Sequence, residues 1–361
     1  MNTTAATQTP GHLHPGDAPS TDRFSTPRAA RFVLGIFGQV PLSDHREAAT
    51  WSNSLWECRT ALAANRTLLP LVRHICRATG IVPPHGVART LKLQTAAQAI
   101  RSELLMREQE SALSILHRHA LPVAVFKGSS LATMLYPCPE LRPQLDIDLV
   151  VNPTRFEEAA ALLLHAGWRR GRAQSLHELF TRNGMVIELH RALFGTGESV
   201  LFNYAETDTQ RFVHGSFSAE ETTLLVMLKL FSETIFSPVK LCDVFALLAD
   251  PGLDTTALTR ETRCRDAAFA AAVLGGVIAR FDNEYAGTAS PLWGGVALNR
   301  QLLWSRLKYA RVLLGAHQRL RKLLRILCDH RSYSDPARSS AGKRLRSMLS
   351  TFFGLRYRTR Y

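Results

Sequence analysis

One seven-residue stretch, Leu145-Asp146-Ile147-Asp148-Leu149-Val150-Val151, limits the folds open to this chain more than any other. Residues two apart in a strand share a face, so Asp146 and Asp148 point together while Ile147 and Leu149 enter a core. A second apolar run, Met185-Val186-Ile187-Glu188-Leu189-His190, embeds Glu188 in the same way. It completes an acidic cluster if the two strands are neighbours. Carboxylates crowded into one small volume repel, and without a counter-charge one of them stays protonated. A divalent cation removes that penalty, and hard cations favour carboxylate oxygens. The expectation is therefore a Mg²⁺ (or Mn²⁺) site on Asp146, Asp148 and Glu188. Deleting one charge, as in Asp148→Asn, is expected to relieve repulsion and stabilise the metal-free chain.

Upstream, Leu121 to Phe126 reads as a buried strand, followed by Lys127-Gly128-Ser129-Ser130 and a helical run from Leu131 to Tyr136. Gly128 lets a backbone approach a ligand closely, and Ser129, Ser130 and the free N–H groups of a helix start can hold a phosphate. Lys127 and Arg142 add positive charge on either side. Each piece also has a plain reading. A Gly-Ser turn serves as a helix cap, Asp-Ile-Asp as a solvated strand edge, Glu188 as half of a salt bridge, and Lys127 and Arg142 as ordinary ion pairs. His190 reads as a core or supporting histidine rather than a ligand, because imidazole suits softer cations. The order of the pieces favours three carboxylates around a metal, an arrangement suited to phosphoryl or nucleotidyl transfer.

Taken together, Phe126-Lys127-Gly128-Ser129-Ser130-Leu131, Tyr136-Pro137, Leu141-Arg142-Pro143, Asp146-Ile147-Asp148-Leu149-Val150-Val151 and Ile187-Glu188-Leu189-His190 resemble the uncharacterised bacterial nucleotidyltransferases catalogued as NTP-transferase type 5, within the DNA polymerase β-like superfamily. The likeness is densest over 121–194 and extends more weakly over about 45–330. It implies an NTP donor, Mg²⁺ or Mn²⁺ on Asp146, Asp148 and Glu188, and Gly128, Ser129, Ser130, Lys127 and Arg142 at the nucleotide. It also implies a hydroxyl-bearing acceptor, which the motifs leave open among small molecules, peptides, proteins and RNA ends. Relatives of this type are sometimes found in peptide natural-product pathways, including those of lasso peptides. The competing class is a non-catalytic nucleotide- or polyanion-binding regulator that keeps the fold.

At 361 residues and 46% hydrophobic content, the chain buries a sizeable core and is not disordered as a whole. The expected class is α/β (α+β), a small mixed sheet between helical segments. Expected divisions are a disordered tail over 1–28, helices over 29–120, the nucleotidyltransferase module over 121–217, a helical bundle over 218–299 and a basic amphipathic region over 300–361. Thr154 with Glu157, and Ser218 with Glu221, have capping-box spacing. Asn183-Gly184 marks a hairpin turn between two strands. Asp243, inside an apolar helix from Val239 to Leu248, requires a partner, and an ion pair with a Lys or Arg is the expected one.

Charge is unevenly spread. Residues 300–361 hold 16 Lys or Arg against 2 Asp or Glu, a surplus of 14 that equals the net charge of the entire chain. Leucines at helical spacing accompany these cations. This segment suits contact with RNA, an anionic membrane surface or an acidic partner, or else packing of its leucines on the bundle. No apolar run of transmembrane length or secretory signal core is present, and the six cysteines lack metal-finger spacing, so reduced thiols in a cytoplasm are expected.

Overall fold

The computed structural model describes residues 22–38, 66–173, 176–193, 206–215, 217–232 and 237–265, with isolated positions at 42, 44 and 46 and between 267 and 282. The tail before residue 22 and the basic region 300–361 lie outside the described residues. Among the described residues, nine helices surround a five-stranded mixed sheet. No helix among them is long and apolar enough to cross a membrane. Cys76, Cys138, Cys242 and Cys264 are free thiols.

On the N-terminal side lie α1 (Pro27–Gly38), α2 (Leu69–Thr79) and α3 (His85–Arg118). Gly80 closes α2 at φ +72°, a left-handed cap that glycine adopts without strain. Pro83 and Pro84 then separate α2 from α3, whose 34 residues make a rod about 50 Å long.

The sheet has the order β1-β2-β5-β4-β3. Its strands are β1 (Val123–Val125), β2 (Ile147–Val151), β3 (Arg169–Ala173), β4 (His177–Arg182) and β5 (Met185–His190). Between them run α4 (Gly128–Leu135) and α5 (Phe156–His165). The β2 and β5 strands are parallel neighbours and set Asp148 opposite Glu188, while the other pairings are antiparallel. Asn183 (φ +51°) and Gly184 (φ +75°) turn β4 into β5, both in the left-handed region that a two-residue hairpin demands. The β3 edge is exposed at all five residues, so no alternation betrays it as a strand, and its arginines discourage edge-to-edge pairing.

Two apolar cores flank this sheet. Ile147, Leu149, Val151, Ile187 and Leu189 pack with Phe156, Leu163 and Trp168 and with Leu105, Ala112 and Leu116 of α3. Val150 and Phe126 belong instead to the larger helical core, with α1, α2 and the C-terminal helices α7 (Ala219–Ser232) and α8 (Pro238–Leu248). The remaining helices are α6 (Glu206–Val213) and α9 (Thr255–Cys264). Ser218 and Glu221 cap α7 reciprocally, with Glu221 N–H donating to Ser218 Oγ at 3.2 Å and Ser218 N–H to Glu221 Oε2 at 3.0 Å. The box expected at Thr154 is replaced. Asn152 Oδ1 accepts from the Thr154 N–H at 3.0 Å and from its hydroxyl at 2.7 Å, capping a 3₁₀ turn over Pro153–Arg155 that leads into α5. Asparagine is as good a cap as threonine, and the proline behind it suits the first helical position.

Candidate functional site

Asp148, Glu188 and His190 share one face of the sheet because Asp148 pairs with Glu188, Val150 pairs with His190, and residues two apart lie on one side. His177 joins them from β4, directly opposite His190. Asp146 sits one residue ahead of β2, in the bend that feeds it. The acids expected to converge are thus at adjacent strand positions, and their charges act on one another. Burial, with Asp148 and Glu188 adding repulsion, pushes the Asp146 carboxyl up to about 6.

Asp148 is held the other way. Its burial favours the neutral acid, but the Lys127 ammonium at 2.7 Å and His190, whose Nε2 donates to Oδ1 at 2.9 Å, hold it well below the usual carboxylate range. The same contact raises Lys127 above the ordinary lysine value despite burial. Glu188 is also lowered, its burial outweighed by His190 and Lys127. Burial lowers His177, and neighbouring His190 adds to the effect. The stability expectation for Asp148 is therefore reversed. Asp148 is a paired anion whose charge stabilises the fold, and Asp146 carries the repulsion.

That difference predicts a pH-dependent stability. Because Asp146 titrates near 6 in the folded chain against 3.8 ordinarily, its burden is absent below about pH 4 and grows as pH rises through 6. In chelator, Asp146→Asn should stabilise the protein by about 1–3 kcal/mol at pH 8 and by nothing at pH 4, read from urea unfolding at the two pH values.

Lys127 precedes α4 at φ +57°, a strained conformation for a residue with a side chain. It turns β1 directly into the helix, so the N–H groups of Gly128, Ser129 and Ser130 open the first turn, while Leu131 N–H already bonds Lys127 O at 2.9 Å. Ser129 is 2% exposed and its Oγ has no hydrogen-bond partner among the described residues. Gln144, also buried, has neither amide atom paired. Buried polar atoms left unpaired beside a helix start are the kind that a bound anion satisfies.

Arg142 does not face outward beside this loop. It is buried, and its Nε and Nη2 donate to the two oxygens of Asp243 on α8 at 2.8 and 2.7 Å. Its Nη1 donates to Gly128 O at 3.1 Å, and Tyr136 Oη donates to Asp243 Oδ1 at 2.8 Å. Asp243 thus has the ion pair its buried position requires, and Arg142 braces the loop from beneath.

His177 escaped the sequence reading, although a signal existed. Counting back from the two-residue Asn183-Gly184 turn places His177 across from His190. The two rings lie 4.8 Å apart between centroids. His177, Glu188 and His190 each offer a ligand atom within 4.8 Å of the others.

The donor set fits a divalent cation: carboxylates brought together, one of them raised by burial and then by its neighbours' charge, next to a loop with an unsatisfied hydroxyl. Comparison with curated proteins and with solved structures finds no match. A family model described as an uncharacterised nucleotidyltransferase matches residues 52–279, which include the sheet, the loop before α4 and the Arg142–Asp243 brace. With most of its length accounted for in this way, the chain belongs to that family of uncharacterised nucleotidyltransferases.

Proposed function

We propose that the chain transfers a nucleoside monophosphate from an NTP to a hydroxyl-bearing acceptor in a metal-dependent reaction. The observation that carries this reading is the β2–β5 pairing, which sets Asp148 beside Glu188 with Asp146 in the bend before β2. Asp146, Asp148 and Glu188 would hold Mg²⁺ or Mn²⁺, which would neutralise charge on the reacting phosphates.

The chain's own groups do the rest. The N–H groups of Gly128, Ser129 and Ser130 and the Ser129 hydroxyl bind the triphosphate at the start of α4, and Arg142 holds Gly128 in place. Lys127, part-exposed beside that loop, would offset the negative charge of the triphosphate. Glu188, more exposed than Asp148, takes the acceptor hydroxyl proton. The acceptor oxygen bonds to the α-phosphorus as the bond to pyrophosphate breaks.

The acceptor in this reading is a small molecule, peptide or protein, with peptide natural-product tailoring as one setting and the cytoplasm as the compartment. The basic segment 300–361 would contact a polyanion. The test is incubation of the purified full chain with α-labelled NTPs, Mg²⁺ or Mn²⁺ and cell extract. Label on an acceptor, lost with Glu188→Gln, is expected. NTP binding without transfer, unaffected by any carboxylate substitution, would favour the binding-only regulator.

Gly128 offers a separate check on the phosphate loop. A Cβ there would lie 3.5 Å from Gln144 Oε1 and 3.6 Å from Arg142 Nη1, ordinary contacts that the fold accepts. Gly128→Ala should keep its unfolding midpoint yet weaken NTP binding by about tenfold or more, a difference of about 1.4 kcal/mol, measured by calorimetry.

A further inference from the structure

We propose that His177, Glu188 and His190 form a metal position of their own that takes a first-row transition cation of the Zn²⁺ type in preference to Mg²⁺. The inference deepens the nucleotidyl-transfer reading, since it adds nitrogen ligands beside the carboxylates. Three observations carry it.

The first is geometry. His190 Nε2 lies 3.4 Å from Glu188 Oε2, and His177 Nε2 lies 3.6 Å from Glu188 Oε1. Those two contacts go to different oxygens of Glu188; with one atom from each residue the three lie within 4.8 Å, and reaching the roughly 3.3–3.4 Å between ligands of a tetrahedral Zn²⁺ takes side-chain movements of about 1 Å, or ligation by both Glu188 oxygens.

The second is an unmet hydrogen-bonding demand. Both ring nitrogens of His177 and the Nδ1 of His190 are buried with no hydrogen-bond partner among the described residues. Such groups are costly to bury, and an imidazole with both nitrogens unmatched has a vacancy on each side that a cation fills on one. His190 itself is 1% exposed, which keeps its ring fixed toward the cluster.

The third is rigidity. All three side chains project from one face of paired strands, with the register His177 to His190 set by a tight hairpin and Glu188 two residues before His190. Two imidazoles and one carboxylate suit Zn²⁺, Co²⁺ or Fe²⁺, whereas Mg²⁺ demands oxygen and keeps much of its water. Ligation through His190 Nε2 moves the proton that Nε2 now donates to Asp148 onto the unpaired Nδ1, which leaves each ligating ring one N–H.

Co²⁺ serves as the probe, added to the chelator-treated full chain. A bound Co²⁺ shifts the remaining N–H proton of each ligating imidazole far outside the normal NMR range, so the ligands are counted directly. The expected result is one shifted exchangeable signal for each of the two histidines, persisting in millimolar Mg²⁺ and in Asp146→Asn. His177→Gln should remove one signal and weaken Co²⁺ binding by about 10–100-fold or more, at least the effect of losing a residue that only supports a ligand. Circular dichroism of the metal-free variant checks its folding, and Glu188→Gln, which keeps both imidazoles, is the second variant should His177→Gln not fold.

Co²⁺ bound without shifted imidazole signals, Co²⁺ displaced by Mg²⁺ at equal concentration, or no Co²⁺ bound at all would overturn the proposal. Transfer of α-label in Mg²⁺ alone, measured on the same preparations, would in each of those cases leave the nucleotidyl-transfer reading standing. Loss of transfer with the imidazole signals intact would sink that reading and spare this one.

Discussion

Asp148→Asn is expected to lower α-phosphoryl transfer by about 10²–10³-fold or more, because it removes the anion at the centre of the cluster while keeping the side-chain volume. It is also expected to cost stability, about 1–3 kcal/mol, since Lys127 and His190 both lose a charged partner at 2.7 and 2.9 Å. The discount from a fully buried pair reflects Lys127, whose side chain keeps 24% of its surface in solvent. Transfer assays and urea unfolding on one preparation check both effects. Wild-type turnover would remove Asp148 from the mechanism. A stabilised Asp148→Asn would mean that repulsion from Asp146 and Glu188 outweighs the pairing.

The largest effect on stability is expected at Asp243→Ala, about 3–5 kcal/mol. Its carboxylate is fully buried and accepts from Arg142 twice and from Tyr136 once, so truncation strands a buried guanidinium and a buried phenol together. Urea unfolding measures the loss. The double variant Arg142→Met, Asp243→Leu should recover much of it, because an apolar pair removes both charges from the interior. NTP binding should not recover with it, as Gly128 O has lost the donor at 3.1 Å. Recovery of binding as well would show that the brace is structural only.

These residues also show how far the chain could be read in advance. Asp148 and Glu188 were legible because a charged residue in a run of Val, Ile and Leu contradicts its neighbours, and alternation alone says where it points. Asn183-Gly184 was legible for the same local reason, a turn that demands left-handed φ at both residues. The Arg142–Asp243 pair was not, since 101 residues separate its members and nothing local joins them. The backbone of Lys127 was not legible either, since nothing local announces a left-handed φ of +57° at a residue with a long side chain when a glycine stands next to it. The β3 edge was hidden by its own exposure, Arg169 to Ala173 offering no buried face to alternate against. Asp146 and Asp148 look alike in sequence, and burial raises both; only at Asp148 do Lys127 and His190 overcome it, while at Asp146 the neighbouring acids add to it.

The 2.7 Å contact between Lys127 and Asp148 makes cation uptake an exchange rather than a filling. Lys127 and His190 both bond one oxygen, Oδ1, so an ion that takes that oxygen must evict an ammonium already seated there, and its observed affinity is its intrinsic affinity less the strength of that contact. The evicted ammonium is left on a part-exposed side chain beside the loop that opens α4, at the moment when an incoming triphosphate brings negative charge. Ion and nucleotide should therefore bind cooperatively, each offering one partner of the broken pair a replacement.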